Sequence, residues 1–222
     1  MRAVVAVRSG LDRFNARHPW SHNEHYHRWI LRSLPASRRS ALDIGCGRGV
    51  LLDKLAASFS TVLGIDADEA MAREAADRVD NVPGATARRM TFAELAASEH
   101  PAVDLVTMVA VLHHLDLDEV LTAVPGLLAP GGRFLVVGLT RLESARELPL
   151  DLLSSVINPA VGLAKHPRRT TPLLSTDVAR MPMKDPTTTF TQVADTARRL
   201  LPGAVVRRRL FFRYTLRWDR PA

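Results

Sequence analysis

Ala41-Leu42-Asp43-Ile44-Gly45-Cys46-Gly47-Arg48-Gly49 is the stretch on which the reading of this chain turns. Leu42 and Ile44 suit a strand, three glycines follow at every second position, and Leu51, Leu52 and Leu55 then carry helical spacing. The stretch therefore reads as strand, glycine turn and helix, half of a βαβ unit. Backbone that passes within van der Waals distance of a ligand, partly at positive φ, has no room for Cβ atoms, which is why glycine serves such a turn. The loop N–H groups and the helix start behind them are expected to face that ligand.

The spacing narrows the choice of ligand. A dinucleotide fingerprint is G-x-G-x-x-G, whereas Gly45, Gly47 and Gly49 form G-x-G-x-G, with Asp43 two residues before the first glycine. A second strand, Thr61-Val62-Leu63-Gly64-Ile65-Asp66, ends in an acid about twenty residues past the loop, where a carboxylate accepts from ribose hydroxyls. This pair of signals resembles motif I and the following acid of the class I S-adenosylmethionine-dependent methyltransferases, of the bacterial small-molecule type. The resemblance implies S-adenosylmethionine as cofactor. Asp43, Gly45, Cys46, Gly47 and Gly49 would hold its methionine end, and Asp66 with Ala67 its ribose.

Working outward, Ser21-His22-Asn23-Glu24 has the form of a capping box, and Tyr26, Ile30 and Leu34 follow at helical spacing until Pro35. In the family such a helix covers the cofactor and an aromatic on it often touches the methionine moiety. Tyr26 is the candidate, with plain core packing as its alternative. His18, His22, His25 and His27 cluster here, but no acidic cluster accompanies them and His25 and His27 diverge on a helix, so no metal site is assigned. Asp68 to Val79 reads as a helix with an acidic first turn. The third strand, near Ala85 to Met90, is weak. Where the family places an acid for the adenine amino group, this chain has Thr91, with Glu94 or a backbone group as substitutes.

Val103 to Ala110 is a near-continuous apolar run, as a strand buried on both sheet faces requires. The resemblance makes Val109 and Ala110 the inner wall of the methyl-donor pocket. His113 and His114 follow at the strand's carboxyl end, where open α/β sheets place chemistry, and are the candidate general bases; packing or capping roles stay open for each. A helix from about Asp118 to Leu128 leads through Ala129-Pro130-Gly131-Gly132 into a fifth strand, Arg133 to Gly138. Phe190 to Leu201 reads as a helix. In the last stretch Phe212, Tyr214, Leu216 and Trp218 alternate with Arg213, Thr215 and Arg217, a strand with one face buried and one wet.

Strands and helices alternate without internal repeats, which gives an α/β, doubly wound, Rossmann-like sheet. The resemblance implies seven strands, mostly parallel with the last antiparallel. We read residues 1–222 as a single domain: an arm and cap helix at 1–40, a cofactor-binding core at 41–138, an insert at 139–186 and a closing helix and strands at 187–222. The insert combines an apolar helical pattern at Leu148, Leu152, Leu153, Val156 and Ile157 with the prolines that follow it, Pro159, Pro167, Pro172, Pro182 and Pro186. A lid over a hydrophobic or aromatic acceptor is one reading. An interfacial helix in peripheral membrane contact is the other.

Composition bounds the rest. With 46% hydrophobic residues, 222 residues can bury a sizeable core. No run of 18 apolar residues occurs and the start lacks a signal-length apolar segment, so a cytoplasmic location is the expectation. Cys46 is the single cysteine, which excludes an internal disulfide and a cysteine-rich zinc site. The net charge of +7 raises a nucleic-acid reading, yet only three residues are lysine and the arginines are dispersed rather than striped beside aromatics. The primary expectation is methylation of a small molecule. An RNA methyltransferase or RNA-binding protein, and a methyltransferase-fold protein that binds the cofactor without transfer, are its rivals; oligomeric state stays open.

Overall fold

A computed structural model describes residues 22–141, 186–209 and 213–222, with side chains from residue 25 onward. All seven described strands lie in one sheet of order β3-β2-β1-β4-β5-β7-β6. The chain runs α1 (His22–Arg32), β1 (Ser40–Ile44), α2 (Val50–Ala56), β2 (Thr61–Asp66), α3 (Glu69–Val79), β3 (Ala85–Arg89), α4 (Phe92–Ala97) and β4 (Val103–Val109). A single turn at Leu112–His114, α5 (Leu117–Leu127), β5 (Leu128–Leu139), α6 (Phe190–Leu200), β6 (Val205–Arg209) and β7 (Arg213–Asp219) complete it. β7 is antiparallel to both β5 and β6. The others are parallel, so the expected sheet is the observed one.

The sheet carries a core on each face. On one side Tyr26 and Ile30 of α1 and Leu51, Leu52 and Leu55 of α2 pack with Val62, Leu105, Leu135 and Val137. On the other, Phe92, Val120, Leu121, Val124 and Val193 pack with Ile44, Val106, Met108, Phe134 and Val136. Neighbouring residues along β4 and β5 thus face opposite layers, which is why both strands read as continuous apolar runs. β3 is an edge strand exposed along most of its length, which explains its weak signal.

Three details differ from the sequence reading. Pro130-Gly131-Gly132 lies within β5: Val103 pairs with Leu128 but Leu105 with Arg133, so the turn is a bulge inside a longer strand. Thr215 is buried along with Tyr214 and Leu216, on the face of β7 that alternation had left to water; it pairs with Val137, which belongs to the core on the α1 side of the sheet. Residues 142–185, which hold the apolar pattern and, apart from Pro186, the prolines of the expected insert, lie outside the described residues, as do Ser21, the side chain of Glu24, and Phe212. What is described are the two ends of that insert, held side by side at the carboxyl edge of the sheet: Arg141 N–H donates to Thr188 O at 2.8 Å, and Arg141 bridges to Thr189.

Candidate active site

β1, β2 and β4 end at the carboxyl edge of the sheet around a cleft of about 520 Å³, a size suited to a drug-sized ligand. Its lining includes Asp43, Gly45, Cys46, Gly47, Asp66, Ala67, Val109, Ala110 and His114, which sequence reading had named. It also includes Val111 and Leu115, from the stretch after β4, and His27, Met71, Met90 and Phe92, which sequence reading had not assigned to the cofactor. Tyr26, Gly49, Thr91 and His113 are not among the lining residues.

The glycine turn is built differently from a phosphate cradle. Gly45 N–H and Cys46 N–H both donate to Ile65 O, at 2.7 and 3.0 Å. Gly47 N–H donates to Asp66 Oδ2 at 2.8 Å, and Gly49 N–H to Cys46 O at 2.9 Å. Four loop donors are spent inside the protein, contrary to the expectation that they face the ligand. What the glycines supply is conformation and space: Gly45, Gly47 and Gly49 all sit at positive φ. A Cβ on Gly45 would stand 2.1 Å from Val111, and one on Gly49 would stand 3.1 Å from the backbone of Ala75, so Gly49 serves the approach of α2 to α3. A pyrophosphate needs the N–H groups that this loop has already committed.

Asp66 organises the turn from below. Its Oδ2 accepts from Gly47 N–H and its Oδ1 from Asp68 N–H at 2.9 Å, which leaves each oxygen a further acceptor position for ligand hydroxyls. Asp43 is 2% exposed at the end of β1. Its Oδ1 accepts from the Thr107 hydroxyl at 2.6 Å across the β1–β4 pairing. Burial raises the Asp43 carboxyl to about 7; the Thr107 hydrogen bond works against that rise and the charge of Asp66 adds to it. Such a group invites a buried cation. Cys46 packs against Gly64, and burial beside both carboxylates pushes its thiol up, which makes it filler rather than a nucleophile.

His27 was noticed among four histidines and set aside as a metal ligand. It is 5% exposed on α1 and lines the cleft. Its Nδ1 lies 3.3 Å from Lys54 Nζ on α2. Burial, with the Lys54 charge, lowers its pKa to about 4, so the ring is neutral; since an ammonium can only donate, Nδ1 accepts and the ring proton sits on Nε2. Among the described residues no group of histidines and acids could hold a metal. The signal sequence reading lacked was the match between one turn of α1 and one of α2, which only packing supplies.

On the adenine side, Thr91 and Glu94 form the capping box of α4. Glu94 also pairs with Arg89 at 2.7 Å. Neither reaches the cleft; Met90 and Phe92, which flank Thr91, do. Tyr26 points into the core on the α1 side of the sheet and is 7% exposed. At the far end, Ala110 holds φ 57°, a left-handed conformation costly for a residue with a Cβ, and its N–H donates to Val137 O at 2.7 Å. That kink turns the chain into Val111 and the short turn carrying His113 and His114. The two rings lie 4.1 Å apart, with His114 on the cleft side.

A seven-stranded sheet closed by an antiparallel strand, a glycine turn stripped of phosphate donors and two acids at the ends of β1 and β2 define a class I methyltransferase. The chain belongs to the S-adenosylmethionine-dependent methyltransferases. Residues 42–134 match the family model described as a methyltransferase domain. An uncharacterized methyltransferase of Mycobacterium tuberculosis is 32% identical over 207 residues, covering 91% of this chain and 98% of that protein. A ubiquinone biosynthesis O-methyltransferase of Thiobacillus denitrificans is 33% identical over 107 residues, 47% of this chain and 46% of its own length. Among solved structures, a SAM-dependent methyltransferase from Aquifex aeolicus shares the fold with a TM-score of 0.55 and 14% identity, over 87% of this chain and 88% of that one.

Proposed function

We propose that the cleft binds S-adenosylmethionine and that the enzyme passes its methyl group to a small molecule bound over the carboxyl ends of β4 and β5. The observation that carries this is the pair of carboxylates, buried Asp43 and loop-bound Asp66, on either side of a glycine turn with no phosphate cradle. The residues fit the cofactor. Asp43 suits the methionine ammonium, the Nε2–H of His27 suits the methionine carboxylate, Asp66 suits the ribose hydroxyls, and Met71, Met90 and Phe92 give adenine an apolar slot. When bound, the sulfonium supplies an activated methyl group, and the protein's part is alignment more than activation. Val109, Ala110 and Val111 would wall the reacting end, and His114 is placed to take a proton from a hydroxyl acceptor.

The RNA reading is the weaker one. Among the described residues, arginines are tied down individually: Arg133 bonds Asp219 and the carbonyls of Ser33 and Leu34, Arg220 those of Pro125 and Leu128, Arg199 pairs with Asp118 and Arg39 with Asp104. Charge spent on local partners leaves less of a continuous track for phosphates. No described helix is long and apolar enough to cross a membrane. Mass spectrometry of the protein as purified, for co-purified S-adenosylmethionine or S-adenosylhomocysteine, followed by assay of S-adenosylhomocysteine release against acceptor panels, tests the proposal. A cofactor that binds but never turns over would favour a non-transferring module.

A further inference from the structure

Ala110 is, among the described residues, the one residue other than glycine at positive φ. At φ 57° its Cβ crowds the neighbouring backbone, a cost that glycine does not carry. Three contacts hold the chain there. Ala110 N–H donates to Val137 O at 2.7 Å, just past the last β4–β5 pair, Val109 with Val137. His114 N–H donates to Val111 O at 2.8 Å and closes the turn that follows. Leu112, 3% exposed, anchors that turn in the core that holds Val120 and Leu121.

β4 and β1 end side by side, Met108 pairing with Ile44, and the kink at Ala110 sets Val111 over the first glycine of the loop. Two Val111 methyls stand 2.1 and 2.9 Å from where a Cβ on Gly45 would lie. Gly45 thus yields its side-chain space to Val111, while Ala110 keeps a methyl in a conformation that penalises one. Both arrangements put apolar bulk at one end of the cleft, which Gly45, Val109, Ala110 and Val111 line together. Asp66 ends β2, on the opposite flank of β1. A ligand with its ribose on Asp66 that extends across the glycine turn therefore meets Ala110 and Val111 with the atoms beyond the ribose. Backbone strain persists only where the surroundings over-determine it, and a wall packed this closely tolerates an added methylene poorly.

We propose that Ala110 and Val111 set the width of the cleft at the donor's sulfur, so that the site admits a methyl sulfonium and excludes donors with a larger alkyl group. This rests on the reading of the cleft as the donor site. The Ala110 methyl is the gauge, and Val111, seated on Gly45, is the stop behind it.

The test titrates the full-length protein by calorimetry with S-adenosylmethionine and S-adenosylethionine, which differ by one methylene on the sulfur. The wild type should bind the ethyl donor about tenfold or more weakly, as one methylene too many does in a fitted pocket. Ala110→Gly should narrow that ratio to within about threefold, and Val111→Ala should narrow it as well. Ala110→Gly should also raise Tm by about 1–3 °C, because glycine relieves the strain, whereas the same change inside a regular strand or helix lowers stability. A methyl that served packing alone would lower Tm on removal and leave the donor preference as it was. Met90→Ala, elsewhere in the cleft, should weaken both donors alike and keep the wild-type ratio. Equal binding of the two donors by the wild type, an unchanged ratio in Ala110→Gly, a fall in its Tm, or the same narrowing in Met90→Ala would overturn the proposal. Failure of the wild type to bind either donor would refute the donor site itself, and this proposal with it.

Discussion

Asp43 should make cofactor binding pH-dependent in a range where few groups titrate. Its carboxyl sits at about 7, and the ligand's methionine ammonium needs it ionised. By that value the group is about 1% ionised at pH 5 and about half ionised at pH 7, so S-adenosylhomocysteine affinity should fall about fifty-fold between them. An α-amino group titrating near 8 stays charged over this range, and so does not confuse it. Asp43→Asn should bind weakly and with at most a few-fold change between the same two pH values. Thr107→Val removes the hydroxyl that favours the ionised form and should move the midpoint up by about one pH unit. The ligand-free protein should respond in the opposite sense. A carboxyl raised in the folded state above its unfolded value of 3.8 carries its full penalty above about pH 7 and loses it as pH falls. The difference in stability between wild type and Asp43→Asn should therefore shrink by about 2–3 kcal/mol from pH 8 to pH 5. Calorimetric titration at five pH values, with thermal unfolding of the same samples, measures both. Flat affinity from pH 5 to 7 in the wild type, or the same slope in Asp43→Asn, would refute the reasoning.

Other outcomes follow from single contacts. Asp66→Ala should cost roughly 1.5–3 kcal/mol of cofactor affinity, and more if the freed Gly47 and Asp68 N–H groups let the turn shift; Gly47→Val, which puts a β-branched residue at φ 52°, should abolish binding, both by calorimetry. His27→Ala should weaken S-adenosylhomocysteine about tenfold and Lys54→Met by less, since the latter loosens the tautomer without removing the ring; unchanged affinity in both would remove His27 from the site. Gly138→Ala would set a Cβ 2.2 Å from the Tyr214 ring between β5 and β7, and should lower stability by about 1–3 kcal/mol or prevent folding, read as a fall in Tm. RNA should bind only weakly and be lost at about 0.15 M salt in a fluorescence anisotropy titration; tight binding there would mean that the arginines converge in space.

The local signals were sufficient for the sheet. Leu42 to Gly49, the acid closing Thr61–Asp66 and the near-continuous apolar run from Val103 are each set by neighbours a few residues away, and strands buried on both faces announce themselves by lacking a regular polar alternation. Asp43 and Asp66 were legible because a glycine turn and an acid at fixed separation describe one βαβ unit, whose geometry follows from the chain itself. What failed to be legible depended on what lay across the fold. Tyr26 and His27 are adjacent in sequence, so no periodicity could say that the first belongs to the core and the second to the cleft; α1 rotates them apart and α2 supplies Lys54. The fate of the loop N–H groups turned on Ile65 O and Asp66, which the second strand brings up only on pairing. Thr91 occupied the expected place for an adenine ligand, but its hydroxyl had a nearer use in capping α4. Sequence determined which segments could pair and where chemistry-bearing residues lay along them; register, strand direction and the rotation of α1 decided which of those residues share a surface, because these depend on burying both faces of the sheet at once.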